Sequence, residues 1–572
     1  MVQHNGKAST DELAKRKAKI IAQAGRQATT SVACWLSDHA LPRSILNSTF
    51  HTYRLPSWWL ATLLLVPWLS PYTAGPTPNV WPLLLSAMCA VGLGLCLHRL
   101  TPRLITVGWL AAAAVSVLIG LAQYLGLAPA LEPWINQTHR VGEAFANLRQ
   151  RNQFATLTSI GLLALIGLLA LREKPGGQPQ PPDWCPPLWA CLLALLLALG
   201  NAASSSRTGL LQWGLIAALT TGWALPAGRR SLALLAWLAL GAYAVAVFML
   251  PELLQWATGL QSGGLFGRLA EAPGCSSRMI LWSNVLTLIA QKPWLGWGWG
   301  ELDYAHFITL YPGLRFCEIL DNAHNLPLHL AVELGVPGAL AICGGLGWLV
   351  WRGRPWREKD PVRQMAWGVL AVIALHSLLE YPLWYGPFQI AVGLAAWLLF
   401  ASRSAGPVRP AVSPGFLAGF RQNSRLAAYL RALAALALIG ALAAVAVSYH
   451  RVSQIYLPSD KRSAAYRDDT LAKVRGNWLF GEQARFAELS LTPLALGNAA
   501  LIYPMAVQLL HYSPEPRVIE KVIESAVMLG QDGQALHYLV RYRAAFPKEH
   551  AQWAEKNAAP PRLPSQRMLQ PP

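Results

Sequence analysis

An all-α protein that crosses a membrane many times is the fold this sequence predicts, and three observations predict it. The 572 residues are 54% hydrophobic and only 13% charged, with a mean hydropathy of +0.32, far from the balance of a water-soluble domain. The apolar residues gather into runs close to the roughly 20 that a helix needs to cross a hydrocarbon core. Lys and Arg outnumber Asp and Glu by 47 to 28, yet the basic residues lie between the runs rather than along one stripe. That is the pattern of an orientation signal, and it argues against a nucleic-acid surface.

Residues 1–56 are polar and basic, too long for the leading region of a cleavable signal, so the first apolar run, from Trp58, is expected to act as an uncleaved anchor. Spans are expected near 57–73, 80–98, 104–127, 153–171, 188–202, 208–225, 231–250, 325–351, 364–381, 384–402 and 432–449, about eleven transmembrane helices in all. With the N-terminus cytoplasmic, the inward links 99–103, 172–184, 229–230, 352–363 and 403–431 hold sixteen Lys and Arg. The outward connections 73–79, 128–152, 201–207, 251–324 and 382–384 hold eight, although they are longer in total. An odd number of spans sends the C-terminal segment outward. The expected divisions are therefore a cytoplasmic segment 1–56, helices 1–7 over 57–250, a large outward loop 251–324, helices 8–11 over 325–449, an outward helical domain 450–557 and a disordered Pro-rich tail 558–572.

Function should concentrate in the outward loops, 251–324 above all. Long loops that carry Trp, Gly and apolar clusters are rarely mere linkers. Beyond Tyr449, the segments Arg517–Leu529 and Asp532–Tyr542, with a turn at Gly530–Gly533, read as a helical hairpin of the kind found in helical repeats. The eight cysteines include no CxxC pair, so a zinc or thioredoxin-like site is not expected. Cys275 and Cys317 both fall in the long outward loop. On an oxidising side they would form a disulfide worth about 3–4 kcal/mol by chain entropy; two free buried thiols are the alternative.

Three outward helix starts each bring a cation or an imidazole. In "DNAHNLPLHLAVELG", Asp321 and Asn322 are expected N-caps of the helix that re-enters the membrane. The positive end of that helix suits an anionic ligand and a neutral His324 acting as a base; a capping histidine is the plainer reading. His329 and Glu333 read as packing or supporting residues. In "NAASSSRTGLL", Ser204–Ser206 precede Arg207, which either snorkels at the membrane edge or binds phosphate. Ser276 and Ser277 precede Arg278 at the start of a short helix ending near Lys292. In "ANLRQRNQFATL", Arg149, Arg151, Asn152 and Gln153 suit sugar hydroxyls and phosphate oxygens, with a polar interfacial collar as the alternative. Asn325 joins these as a weaker glycan or donor contact. No Walker loop, GxGxxG, HExxH or DxD motif appears, which removes support for nucleotide-driven transport and metalloprotease chemistry.

The segments "SSRMILWSNVLTLIAQKPWLGWGWGELDYAH" and "NAHNLPLHLAVELGVPGAL" resemble the signature of the O-antigen ligase and polymerase superfamily. Within it, "NLRQRNQFATL", "LLEYPLWYGPF" and the outward helical tail resemble the bacterial protein O-oligosaccharyltransferases, the pilin glycosylation ligases. The resemblance implies a multi-pass inner-membrane glycosyltransferase of GT-C-like type, with a cytoplasmic N-terminus and a periplasmic, tetratricopeptide-like C-terminal domain. It implies transfer of a glycan from undecaprenyl pyrophosphate to Ser or Thr of a periplasmic, pilin-like protein, without cofactor, nucleotide or metal. It places the essential histidine at His324, the loop arginine at Arg278 and a Ser-Arg-x-Gly element at Arg207, the two arginines being set to bind the donor pyrophosphate. An O-antigen ligase acting on lipid A-core and an O-antigen polymerase share the donor and differ in the acceptor. A transporter of lipid-linked sugars is the remaining alternative, disfavoured because the polar residues gather at the outer edge and not at the midplane.

Overall fold

The computed structural model describes residues 58–138, 140–172, 185–261, 264–265, 274–402 and 424–558. The expected segment 1–56 and all but the first residue of the tail 558–572 lie outside these. Among the described residues the regular structure is helical throughout, with no strand. Each of the eleven expected spans is a helix: α1 (Trp58–Leu69), α2 (Val80–Leu95), α3 (Pro102–Tyr124), α4 (Arg151–Ala170), α5 (Leu188–Ala203), α6 (Arg207–Ala224), α7 (Arg230–Thr258), α10 (Leu326–Gly353), α11 (Pro361–Ser377), α12 (Gly386–Ala401) and α13 (Ser424–Ser453). Between α7 and α10 lie α8 (Arg278–Gln291) and the short α9 (Leu302–Ile308). Five of these helices, α3, α4, α7, α10 and α13, are long and apolar enough to cross a membrane. Helix α7 runs on to Thr258, past its expected end at 250, carrying Pro251 within it.

From Leu60 onward the described residues form one packing unit. Its centre is α4, buried along its apolar length and packed on α3, α5, α6 and α11. Helix α7 lies outside α5 and α6, α12 lies against α11 and α2, and α13 packs on α2 with most of its apolar surface bare. An apolar helix so little covered by protein is at home in lipid, where its backbone bonds are satisfied internally.

The polar residues that start the helices do so by capping, which supplies an acceptor to otherwise free N–H groups. Gln150 accepts from Gln153 N at 2.7 Å, Ser206 from Gly209 N at 3.1 Å, Ser277 from Ile280 N at 3.4 Å and Asn325 from Leu328 N at 3.1 Å. The cap of α10 is thus Asn325, not Asp321 or Asn322 as expected. Asn322 turns back on its own loop and accepts from His324 N at 2.8 Å, which fixes His324 in a left-handed conformation with φ of 49°.

Helix α10 is broken at Gly335, whose φ and ψ are 78° and 165°. The loop after α8 fills the break: Trp297 N donates to Val332 O at 2.8 Å, Gly298 N to Glu333 O at 3.1 Å, and Val336 N donates to Pro293 O at 2.8 Å. The two backbones meet so closely that a Cβ on Gly296 would lie 2.3 Å from Glu333 O, and one on Gly335 2.2 Å from Trp294 O. Only glycine fits at either point.

The C-terminal part comprises α14 (Thr470–Arg475), α15 (Gly481–Leu491), α16 (Ala499–Leu509), α17 (Pro516–Met528), α18 (Asp532–Ala545) and α19 (Pro547–Ala558). Its core, with Ile502, Ile519, Val522 and Tyr542, also takes in Phe307 from α9. Further bonds join the two: Arg541 Nε donates to Ile308 O at 2.7 Å, His511 Nδ1 lies 2.7 Å from Glu301 Oε2, and Tyr304 stacks on His511 at 3.8 Å. The domain is seated on the loop that leads to His324.

Candidate functional site

The connections that carry the candidate residues meet at one end of the bundle, around Glu380 in the short link between α11 and α12. Glu380 Oε2 lies 2.6 Å from His324 Nδ1, and Oε1 accepts from Arg278 Nη2 and, at 3.0 Å, from Asn152 Nδ2. Asn152 Oδ1 accepts in turn from Ser206 Oγ at 2.6 Å, the residue that caps α6 immediately before Arg207. One buried carboxylate thus ties together the starts of α4, α8 and α10, with α6 joined through Asn152.

The Glu380 side chain is 8% exposed, while those of His324 and Arg278 are 25% and 39% exposed. Burial pushes the Glu380 carboxyl up, but the hydrogen bond with His324 and the charge of Arg278 outweigh it and hold the group below its ordinary value. A carboxylate on Nδ1 fixes the ring and its tautomer, which leaves Nε2 as the working atom. Arg278 spends one terminal nitrogen on Glu380; its Nη1 has no partner among the described residues. Arg207 is exposed, and its side chain makes no ion pair or hydrogen bond among the described residues.

The remaining candidates are distributed differently. Asn152 belongs to the Glu380 network. Arg149, in a left-handed conformation, donates to Asn79 Oδ1 at 2.8 Å, and burial lowers its pKa from the usual arginine value. Arg151 pairs with Glu143 at 2.5 Å, Gln153 is buried, and the Nδ2 of Asn325 donates to Leu378 O at 3.0 Å. Arg149, Arg151 and Asn325 thus bond to the scaffold around the site. The sulfurs of Cys275 and Cys317 are bonded, with the Cα atoms 5.5 Å apart. The link lies three residues before Arg278 and seven before His324, so it ties the two segments that bring those side chains to Glu380. No group of His, Cys, Asp or Glu able to hold a metal occurs among the described residues.

Glu380 is the functional candidate that the sequence reading passed over. Its signal is a lone carboxylate at the end of an apolar run, inside "LLEYPLWYGPF". Below it, a second buried layer crosses the bundle. His376 Nδ1 lies 2.9 Å from Thr156 Oγ1, Gln212 Nε2 donates to Thr156 Oγ1 at 2.8 Å, and Ser159 donates to Gln212 Oε1 at 3.0 Å. His376 and Thr156 stand one helical turn beneath Glu380 and Asn152 respectively, so the upper layer rests on a hydrogen-bonded floor.

Comparisons with known proteins point the same way. Residues 192–343 match the family model of the O-antigen ligases, residues 144–169 that of the protein glycosylation ligases, and residues 364–559 the C-terminal model of a virulence factor membrane-bound polymerase. A general O-oligosaccharyltransferase of Acinetobacter baylyi is 28% identical over 297 residues, 51% of this chain and 49% of the relative. A ComP-specific O-oligosaccharyltransferase of the same organism is 26% identical over 259 residues, 44% of this chain and 43% of the relative. The chain spans about half the length of the curated relatives it matches. The O-antigen ligase match contains Arg207, Arg278 and His324, and the glycosylation ligase match contains Arg149 to Gln153. Over these two segments the chain is similar to the O-antigen ligases and to the protein glycosylation ligases.

Proposed function

We propose that this protein is a membrane oligosaccharyltransferase that moves a glycan en bloc from undecaprenyl pyrophosphate to Ser or Thr hydroxyls of a pilin-like protein on the outer face of the bacterial inner membrane. The observation that carries the reading is the convergence of His324, Arg278 and the Ser206–Arg207 helix start on Glu380 and Asn152. The acceptor hydroxyl gives its proton to Nε2 of His324, and its oxygen forms the new bond to the anomeric carbon. The bond from that carbon to the pyrophosphate oxygen breaks, and the lipid pyrophosphate leaves with the electron pair. Its charge is met by Arg207, whose side chain has no partner among the described residues, and by the Arg278 nitrogen that is likewise unpaired among them. Glu380 balances the imidazolium that forms at His324. Attack opposite the leaving group inverts the configuration.

The matches to O-antigen ligase and polymerase models favour a second acceptor, lipid A-core or the growing glycan, over the same machinery. Transfer by the purified protein from a lipid-linked glycan to pilin, run beside a lipid A-core acceptor, separates the readings. The expected result is glycosylated pilin, with turnover reduced by about 10²–10⁴-fold in His324→Ala, the range for loss of a general base. Unchanged turnover in that variant removes His324 from the mechanism, and transfer to lipid A-core alone makes the protein an O-antigen ligase.

A further inference from the structure

Beneath His324, a narrow cleft is lined by Asn322, His329, Glu380, Tyr381 and Trp384. Trp384 shows 38% of its surface and Trp299 shows 66%, and the two indoles lie parallel to within 8° with centroids 6.3 Å apart. Such exposure is ordinary for tryptophans at a membrane surface, but the supports of this pair are not. Trp384 sits edge-on to His329 at 5.1 Å, and Trp299 is carried on the turn that Glu333 holds through Gly298 N and, at 3.0 Å, Gly300 N. His329 is 3% exposed, its Nε2 faces Glu333 Oε2 at 3.5 Å, and its Nδ1 has no hydrogen-bond partner among the described residues. A buried ring nitrogen without a partner, at the wall of a cleft, is costly unless a ligand completes it.

We propose that Trp384, backed by Trp299, is a stacking platform for the first pyranose ring of the donor glycan, and that one hydroxyl of that sugar enters the cleft and donates to His329 Nδ1. The assignment rests on the glycosyl-transfer reading above. Flat apolar faces suit the C–H face of a pyranose, and the neighbouring Asn322 and Glu380 suit its remaining hydroxyls. An isoprenoid tail would use the indoles equally well but has nothing to offer His329 Nδ1. The cleft is too tight for a whole sugar, so the ring lies across its mouth, beside His324, where the anomeric carbon must be.

The test compares two probes on the full chain in nanodiscs: undecaprenyl pyrophosphate bearing one N-acetylglucosamine, and undecaprenyl pyrophosphate alone. Trp384→Ala is expected to weaken binding of the sugar-bearing probe by about fivefold to tenfold and to leave binding of the bare probe unchanged. Trp384→Phe keeps most of the affinity, and His329→Ala loses the same sugar-dependent increment. The donor KM for transfer rises more than kcat falls. Equal losses for both probes make the indoles a lipid contact and overturn the proposal, as does no loss for either. Should Trp384→Ala fail to fold, the same comparison on His329→Ala and Trp299→Ala decides it. If the parent protein transfers no sugar while the sugar-dependent increment survives, the functional reading fails and the subsite stands.

Discussion

Glu380 accepts bonds from three different helix starts through two oxygens, and a neutral amide cannot replace it. Glu380→Gln puts an NH2 group opposite either Arg278 or His324 and removes the charge that would balance an imidazolium. Transfer is expected to fall by about 10²–10⁴-fold, as when an orienting carboxylate is made an amide beside a catalytic histidine. Stability should respond with a definite sign. A carboxyl held below its ordinary value of 4.5 stabilises the fold above that pH and loses the contribution as pH falls through the folded value. The melting temperature of Glu380→Gln should therefore lie below the parent's at pH 7, and the gap should close under acid conditions. A constant gap in calorimetry across that range would assign the loss to packing instead.

At the scale of elements, the broken α10 and the small α9 make separate predictions. Gly335→Ala must put a Cβ against Trp294 O with φ at 78°, where left-handed geometry alone costs about 1–2 kcal/mol. The loop over residues 293–300 should detach from α10, seen as faster hydrogen exchange at Trp297 and Gly298. Helix α9 holds two ionisable groups of opposite effect. Burial pushes the Asp303 carboxyl up to about 7, so its contribution is present at low pH and is lost as pH rises from about 4 through 7. Burial lowers His306 to about 3, so its contribution is lost as pH falls from about 6.5 through 3. Thermal unfolding of Asp303→Asn between pH 4 and 8 should show the neutral-side fall flattened and the acid limb, set by His306, retained.

For the whole molecule, the bonded pair Cys275 and Cys317 closes a loop of separation 42. Replacing both with Ser is expected to cost about 4 kcal/mol by chain entropy. The melting temperature of that variant should be insensitive to reductant, while the parent's falls when reductant is added. The apolar helices, the capping serines and the candidate histidine were legible in the sequence because each depends on neighbours within a few residues. Apolar runs mark α1 to α7 and α10 to α13, Ser206 and Ser277 stand directly before their helices, and His324 sits in a recognisable stretch. Glu380 was not legible as a hub, since its partners lie 56, 102 and 228 positions away and a single sequence carries no trace of such pairings. The cap of α10 was misplaced because Asp321, Asn322 and Asn325 are all competent caps by type. Only the left-handed turn at His324 decides among them.

The seating of the C-terminal helices on α9 bears on any attempt to exchange C-terminal parts between relatives. Phe307 lies inside the core of the C-terminal part, and Glu301 and Ile308 are bonded to His511 and Arg541. A graft cut at the end of α13 would strip that core of a side chain supplied from more than a hundred residues upstream. Chimaeras should fold only when residues 301–311 travel with the transplanted end, so the natural unit of exchange here is discontinuous in the gene.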